Sequence, residues 1–190
     1  QLLSKTDIAS VWPALWEDPD RFAAAVQVLE FLERAAYGES GDPQLLDLAC
    51  DALRAMSRTP IACLELLLRG FEIQACERLG YAPELGSCLE CRKPLGAGGL
   101  FHPLRGGLLC GSPCGGGDGS FRLSERTRRT MVGLLTQPME SLAGWAAERY
   151  PGPEVAKAVE RFLAAHLERF EGLRAGRVAE SIAHYAGGRR

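Results

Sequence analysis

The chain has 190 residues, 46% of them hydrophobic, and its 22 Lys or Arg residues nearly balance its 24 Asp or Glu residues. It contains no apolar run of 18 residues and no basic segment followed by an apolar leader, so we expect a cytoplasmic protein with no membrane partner. The charge is divided unevenly, because residues 1–87 carry 7 basic and 14 acidic side chains, whereas residues 88–190 carry 15 and 10. The second half is therefore better suited to a polyanion than the first.

The first elements are two amphipathic helices with clear capping signals. Asp18 is placed to cap a helix that starts at Pro19 and that Gly38 ends. Its apolar face is expected to comprise Phe22, Ala25, Val26, Leu29, Leu32 and Ala36. The second helix repeats this start with Asp42 and Pro43, and its apolar face is expected to comprise Leu45, Leu46, Ala49, Ala52, Leu53 and Met56.

A third helix is predicted from Pro60 to Gly80. Its apolar stripe is broad enough for a helix at the centre of a bundle, and it comprises Leu64, Leu67, Leu68, Phe71, Ala75 and Leu79. Helical periodicity stops after Pro83, and glycine becomes frequent between residues 96 and 119. Two short apolar runs there, residues 100–104 and 108–110, predict a β-hairpin with Gly106 and Gly107 in its turn.

Four cysteines in and around this hairpin predict a metal site. Cys88 and Cys91 form a C-x2-C knuckle, and Cys110 and Cys114 form a C-x3-C knuckle. Each tight turn can aim two thiolates at one tetrahedral zinc ion, and four cysteines leave no coordination position for water. The segment also has too few large apolar residues to fold alone. We therefore expect one structural zinc ion, with reduced free thiols and disulfides as the alternatives.

Helical periodicity resumes after the ribbon. Ser124 is predicted to cap a helix that carries Thr127, Met131, Leu134 and Leu135 on one face. A shorter element follows around Leu142 and Trp145. Pro153 then starts a long helix with an apolar face of Val155, Val159, Phe162, Leu163, His166, Phe170 and Leu173. One weak helix is expected over residues 178–182.

These elements predict a mostly α fold, in which a helical bundle domain is interrupted by a four-cysteine zinc ribbon. The helical domain is assigned to residues 10–84 and 120–190 and the ribbon to residues 85–119, because neither group of helices suffices for a deep core alone. The chain has no P-loop, no H-E-x-x-H, no G-x-S-x-G and no zinc-deaminase signature. We therefore predict that it is not an enzyme.

The ribbon and the helix after it carry the best candidate surface for a polyanion. Six basic residues are the candidates for DNA binding: Arg92, Lys93, Arg105, Arg122, Arg126 and Arg129, with Arg128 beside them. Arg122, Arg126 and Arg129 would share one face if the helix began near Leu123, and the scarcity of nearby aromatic residues favours phosphate contacts over base contacts. The alternative is a solvated basic face that balances the acidic half and the zinc thiolates.

The remaining His and Cys side chains have structural interpretations. His166 lies on an apolar helix face and is expected to be a packed core histidine. His102 could contact phosphate or replace a cysteine as a zinc ligand, although four cysteines already suffice. The cysteines at 50, 63 and 76 fall within apolar helical patterns and are expected to be buried, reduced thiols.

The junction of the third helix and the ribbon resembles a known family. The segments that carry the resemblance are FE at 71–72, LGYAPEL at 79–85, CLEC at 88–91, FHP at 101–103 and RGGLLC at 105–110. They resemble the bacterial recombination mediator RecO over about residues 64–114. The resemblance carries the zinc ligands of that family over to Cys88, Cys91, Cys110 and Cys114. RecO-like proteins begin with an OB-fold domain, so residues 1–9 are expected to be the end of such a missing domain or a linker.

The resemblance implies a non-enzymatic protein of recombinational DNA repair, associated with the bacterial nucleoid. RecO-like proteins bind single- and double-stranded DNA and anneal complementary strands. The implied partners are RecR, RecF and the C-terminal tail of single-strand-binding protein, for which we expect a groove between helices of the acidic half. The alternative hypothesis is a zinc-ribbon adaptor in transcription or ribosome machinery, in which the ribbon binds protein.

Overall fold

The computed structural model describes residues 8, 10–35, 42–145 and 150–167. Its helices are α1 (Ala14–Glu17), α2 (Pro19–Ala35), α3 (Pro43–Arg58), α4 (Leu64–Arg78), α5 (Glu125–Thr136), α6 (Met139–Leu142) and α7 (Gly152–His166), with a 3-10 turn at Ile61–Cys63 before α4. The fold is mostly helical and includes a small antiparallel sheet, as the sequence predicts. None of the helices in these ranges combines the length and apolar character needed to span a bilayer.

Side-chain caps start the helices where the sequence places them. Asp18 Oδ1 accepts hydrogen bonds from the backbone N–H groups of Asp20 and Arg21, at 3.1 and 3.0 Å. Asp42 caps α3 in the same manner. Ser124 Oγ accepts from the backbone N–H of Thr127 at 3.1 Å, which starts α5. These bonds satisfy donors that would otherwise be unpaired in the first turn. The short helix α1 was not predicted.

The predicted apolar face of α2 is only partly correct, because Ala25 is buried as expected but two of its large residues are exposed. The residues that it buries are Ala24, Ala25, Val28 and Phe31, whereas Phe22 and Leu29 are 55% and 54% exposed. Apolar residues occur around most of this helix, so their spacing alone does not select one face. Tertiary packing selects it, because the Phe31 ring contacts Phe71 of α4 edge-on at 5.2 Å between centroids.

In α3 the prediction is largely confirmed. Its buried residues are Leu45, Leu48, Ala49, Ala52, Ala55 and Met56. Leu46, which was expected in the core, is 57% exposed instead. The predicted end of α2 at Gly38 lies outside the described residues, as do the extension of α7 to Leu173 and the helix over 178–182.

The helix α4 lies at the centre of the bundle, as its broad stripe predicts. It contacts α2, α3, α5, α6 and α7. It is buried nearly all round, and its buried residues include Leu67, Phe71 and Ala75. Gly70 allows α6 to approach closely, because a Cβ atom there would lie 2.7 Å from Leu142 Cδ1.

The sheet has three strands, of which the sequence predicts two. These are β1 (Gly99–His102), β2 (Gly107–Leu109) and β3 (Phe121–Leu123), in the order β2-β1-β3. In the antiparallel register Leu109 lies opposite Leu100 and Phe121 lies opposite Phe101. The turn between β1 and β2 ends at Gly106, which has a φ of +71°, a conformation that glycine adopts without steric cost. Gly107 is not in the turn, because it pairs with His102 as the first residue of β2.

The two faces of the sheet have different partners. Phe101 is fully buried, and its ring contacts Phe121 at 5.7 Å and Phe162 of α7 at 6.4 Å between centroids. This face belongs to the core of the helical bundle. Leu109 instead packs in a separate small cluster with the cysteines, to which Leu100 adds partly buried surface. The sheet therefore connects the bundle to the cysteine knuckles.

Candidate metal centre and nucleic-acid interface

Two tight turns bring the four cysteines together. Cys88 and Cys91 lie in the turn that precedes β1, where the Cys88 N–H donates to Lys93 O at 2.9 Å and the Arg92 N–H donates to Cys88 O at 3.0 Å. Arg92 has a φ of +60°, which closes this turn. Cys110 directly follows β2, and Cys114 lies four residues further on. The hairpin thus places the second knuckle beside the first.

The sulfur atoms fit a single metal ion. All four Sγ atoms lie within 4.8 Å of one another, and those of Cys91 and Cys110 are 4.0 Å apart. A tetrahedral ion with bonds of about 2.3 Å to four sulfurs requires S···S separations of about 3.8 Å. All seven cysteines of the chain are free, so this cluster is not a pair of disulfides. The site could therefore hold one metal ion with four sulfur ligands.

Backbone N–H groups and the neighbouring thiols shift the cysteine pKa values in opposite directions. Burial opposes the charged form of Cys88, but N–H groups of Cys91, Cys110 and Glu90 lower its pKa to about 6. Burial raises the pKa of Cys114, and the neighbouring sulfurs raise it further. The Cys88 thiol therefore ionises readily, whereas the Cys114 thiol resists ionisation. A bound cation removes that conflict, because it stabilises all four thiolates together.

The ribbon is attached to the bundle through Arg128 of α5. Its guanidinium donates to Leu85 O at 3.1 Å and to Gly96 O at 3.2 Å, one on each side of the first knuckle. Arg128 was grouped with the polyanion surface from the sequence. The structure shows instead a half-buried side chain whose two terminal nitrogens donate within the protein, so it positions the ribbon.

A second attachment joins α7 to the strand and helix that follow the ribbon. The Glu154 carboxylate accepts hydrogen bonds from the Ser124 N–H at 3.1 Å, from Ser124 Oγ at 2.9 Å and from Thr127 Oγ1. Burial opposes its ionisation, but these three donors outweigh burial and lower the pKa of Glu154. The carboxylate thus fixes the start of α5, and with it the end of β3, against α7.

Three of the predicted DNA-binding residues lie on the ribbon itself. Arg92 and Lys93 are exposed and follow the first knuckle directly. Arg105 lies in the turn between β1 and β2 and forms an ion pair with Glu90 at 2.9 Å, which lowers the pKa of Glu90. This pair links the hairpin turn to the first knuckle. The ribbon therefore presents positive charge beside the cysteines, part of which Glu90 neutralises.

The other three predicted residues do not share one helical face. Arg122 lies on β3, because α5 begins at Glu125 and not near Leu123. Arg126 and Arg129 are exposed on α5, and Arg129 forms an ion pair with Glu125 at 2.5 Å. The expectation of a single face for Arg122, Arg126 and Arg129 is corrected by this strand, which the sequence pattern did not reveal.

The histidines lie outside the sulfur cluster. His102 is not part of it, and His102 Nδ1 is buried without a hydrogen-bond partner within the described residues. His166 is half-buried on α7, where its ring contacts Phe162 at 4.3 Å and Nδ1 lies 3.0 Å from Phe162 O. Cys63 and Cys76 are buried as expected, whereas Cys50 is only half-buried.

Two further features were not found from the sequence. The first is a basic pair on α7, Lys157 and Arg161, whose cations lie over the Phe121 ring. Their i,i+4 spacing on a polar helix face could have indicated it. The second is a pocket of about 380 Å³ between the end of α3 and α6. No local sequence signal indicates it, because it depends on how two distant helices pack.

Comparison with known proteins identifies a family. The family model described as "Recombination protein O C terminal" matches residues 16–174. Proteins named DNA repair protein RecO are similar to the chain over most of its length. That of Alkaliphilus metalliredigens is 27% identical over 168 residues, which cover 88% of this chain and 68% of the relative. That of Acetivibrio thermocellus is 22% identical over 167 residues, covering 88% and 66%.

A third relative is the DNA repair protein RecO of Desulforudis audaxviator. It is 30% identical over 159 residues, which cover 83% of this chain and 62% of the relative. The chain thus spans about two thirds of the length of the curated relatives that it matches. The resemblance predicted from the segments at the helix–ribbon junction is confirmed, and the match extends well beyond those segments.

The cysteine cluster generates the first prediction. Replacing Cys110 by Ser should abolish stoichiometric metal binding, because an uncharged hydroxyl is a poor substitute for a thiolate in a four-sulfur site. Elemental analysis of the purified chain should show one metal ion per molecule in the parent and none in Cys110→Ser. The matched control is Cys50→Ser, which changes a half-buried cysteine outside the cluster and should keep the metal. A Cys110→Ser protein that retains one equivalent would contradict the assignment.

Proposed function

Because the chain belongs to the RecO family, whose C-terminal region matches residues 16–174, we propose that it mediates recombinational DNA repair. In this proposal it binds single- and double-stranded DNA, helps complementary strands to anneal, and assists recombinase loading together with RecR and RecF. The family match is the observation that carries the proposal. It also favours this function over that of a zinc-ribbon adaptor in transcription or ribosome machinery.

We propose further that the metal is one structural zinc ion and that the protein is not an enzyme. Zinc suits a tetrahedral shell of four cysteines, held here by Cys88, Cys91, Cys110 and Cys114. In such a shell no coordination position remains for water or substrate, so the ion organises the ribbon. The ribbon would then hold its basic side chains in a fixed arrangement at the surface.

The proposed DNA interface comprises the ribbon and α5. Its residues are Arg92, Lys93, Arg105, Arg122, Arg126 and Arg129. All six side chains are exposed, and arginine guanidinium groups suit phosphate oxygens. No exposed aromatic side chain accompanies them in the described part of the ribbon, which supports backbone contacts over base recognition. An interface of this kind would bind many sequences, as strand annealing requires.

The pocket between α3 and α6 is the proposed site for the C-terminal tail of single-strand-binding protein. Its lining residues are Asp51, Arg54, Ala55, Arg58, Thr59, Pro60, Pro138, Met139, Glu140, Ala143 and Gly144. Apolar side chains such as Met139 could receive the hydrophobic end of the tail. Arg58 is exposed, with no carboxylate at ion-pairing distance in the ranges that the structure describes, so it could pair with the acidic residues of the tail.

Two features of the pocket fit a chain terminus. Thr59 is 3% exposed, and its Oγ1 has no hydrogen-bond partner among the described residues. Arg54 is already paired with Asp51 at 2.7 Å, at the exposed edge of the pocket. A terminal carboxylate near Arg58 would gain a charge-assisted hydrogen bond. RecR, RecF and this tail are proposed as protein partners, and the bacterial nucleoid as the place where the protein acts.

The DNA interface gives a prediction for α5. Replacing Arg126 and Arg129 together by Ala should weaken binding to a labelled single strand about tenfold at 0.1 M salt, since each phosphate contact adds about 0.7 to the salt slope on single strands. The effect is smaller than for two unpaired cations, because Glu125 partly neutralises Arg129. The control Arg54→Ala also removes an exposed, ion-paired arginine and should leave binding unchanged. Equal affinity for the double variant and the parent would place the contact elsewhere.

The pocket gives a separate prediction. Arg58→Ala should weaken binding of the acidic C-terminal peptide of single-strand-binding protein at least tenfold, because a hydrogen bond to a charged group contributes about 1.5–3 kcal/mol. Isothermal calorimetry measures the effect, and DNA affinity should not change. Arg78→Ala serves as the control, since it removes an exposed arginine from α4 outside the pocket. No heat with the parent protein, or the same affinity for Arg58→Ala, would rule out this site.

A further inference from the structure

Two exposed cations of α7 lie over one aromatic ring at the edge of the sheet. Lys157 Nζ is 4.8 Å from the Phe121 centroid, and Arg161 Cζ is 5.2 Å from it. Both side chains are exposed, and Phe121 is half-buried on β3. Since Phe121 also packs edge-on against the buried Phe101, the ring is held by the core. We call this group, Lys157, Arg161 and Phe121, the α7–β3 cation surface.

The positive charge of this surface is not neutralised by an ion pair. No carboxylate lies within ion-pairing distance of Lys157 or Arg161 among the residues that the structure describes. Glu160 adjoins Arg161 in sequence but pairs with Arg69 at 2.7 Å. Glu154 lies one turn before Lys157, which helps to lower the pKa of Glu154, but its oxygens accept the three hydrogen bonds from Ser124 and Thr127. Arg105 and Arg129, by contrast, are each paired with a glutamate. Arg105 and Arg129 are thus held in ion pairs, whereas neither cation of the α7–β3 cation surface is held in one within the described residues.

The ring restrains the cations without cancelling their charge. A cation over an aromatic face is attracted by the ring quadrupole by about 0.5–1 kcal/mol at an exposed site. That attraction limits the rotamers of two long side chains, so less side-chain entropy is lost when an anion binds. A carboxylate partner would restrain them as well but would compete with the anion. The arrangement is therefore suited to binding an external anionic ligand.

Position favours a nucleic-acid strand as that ligand. The two cations are one helical turn apart, about 6 Å along α7, so they can contact successive anionic groups of an extended polyanion. The surface adjoins β3, which carries Arg122, and the start of α5, which Glu154 joins to α7 and which carries Arg126.

We infer that the α7–β3 cation surface binds the phosphates of a single nucleic-acid strand and extends the proposed interface from α5 onto α7. The inference rests on the proposed DNA-binding function and adds residues that the sequence did not indicate. Lys157 and Arg161 contact phosphates, and Phe121 holds both cations in place. The strand would then lie across the junction of β3, α5 and α7.

The test is the double variant Lys157→Ala/Arg161→Ala of the metal-loaded chain. Binding to a fluorescent oligothymidylate is measured by fluorescence anisotropy at salt concentrations from about 0.05 to about 0.5 M. This range extends below and above physiological ionic strength. Two lost contacts should reduce the slope of log Kobs against log salt by about 1.4 and weaken binding about 25-fold at 0.1 M salt. The control Arg78→Ala removes an exposed arginine from α4, outside both the proposed interface and the pocket, and should leave both values unchanged.

A second variant, Phe121→Leu, separates the ring from the charge. Leucine keeps an apolar side chain beside Phe101 but removes the aromatic face. Affinity should fall severalfold while the salt slope stays near that of the parent, because both cations remain. If Phe121→Leu reduces the salt slope as much as Lys157→Ala/Arg161→Ala does, the substitution has displaced α7. A lowered melting temperature by circular dichroism identifies that case. The Lys157→Ala/Arg161→Ala result then decides the inference alone.

The possible results distinguish this inference from the proposed function. If Lys157→Ala/Arg161→Ala binds DNA as the parent does while Arg126→Ala/Arg129→Ala is impaired, the inference is wrong and the proposed function stands. If the parent shows no salt-dependent DNA binding, both fail. If instead the double variant loses affinity for polyglutamate but not for the oligonucleotide, the surface binds an acidic protein and the inference is again wrong.

Discussion

The geometry of the ribbon depends on four cysteine sulfurs that share one small volume. The segment from Cys88 to Cys114 has few large apolar residues, so burial alone cannot order it. A bound metal ion would supply the missing stabilisation and make the fold of the segment conditional on its ligands. Sulfur separations of no more than 4.8 Å are compatible with one tetrahedral ion. The hairpin register places Cys110 beside the first knuckle.

The ribbon can present its basic residues in a fixed arrangement only if the bundle fixes its orientation. Three contacts do so, and each uses a different interaction. Phe101 joins the sheet to the core through Phe162. Arg128 uses its guanidinium to bind two carbonyl groups that flank the first knuckle. Glu154 holds Ser124, and so the junction of β3 and α5, against α7. A basic surface with little freedom at each cation loses less entropy when it binds a polyanion.

The sequence predicts local features of this fold better than the packing between distant elements. Helix starts at Asp18 and Ser124 follow from capping chemistry, and the clustering of the four sulfurs follows from the spacing of the cysteines, because both depend on residues a few positions apart. The core face of α2 does not follow, since Phe31 is buried by Phe71 of another helix. Nor does β3, a strand of three residues whose pairing partners on β1 lie 20 to 24 positions away. The structural role of Arg128 also depends on how the ribbon packs against the bundle. The sequence does not show that packing, and composition alone therefore assigned Arg128 to the basic surface.

We propose that the ribbon, α5 and α7 form one basic surface for DNA and that the pocket between α3 and α6 receives an acidic peptide. The basic surface has its proposed geometry only if the four sulfurs bind one ion. X-ray absorption at the zinc K-edge of the purified chain tests this most directly. The account predicts four sulfur scatterers at about 2.3 Å and no nitrogen or oxygen ligand. A shell that contains nitrogen or oxygen, or protein without zinc, would contradict it.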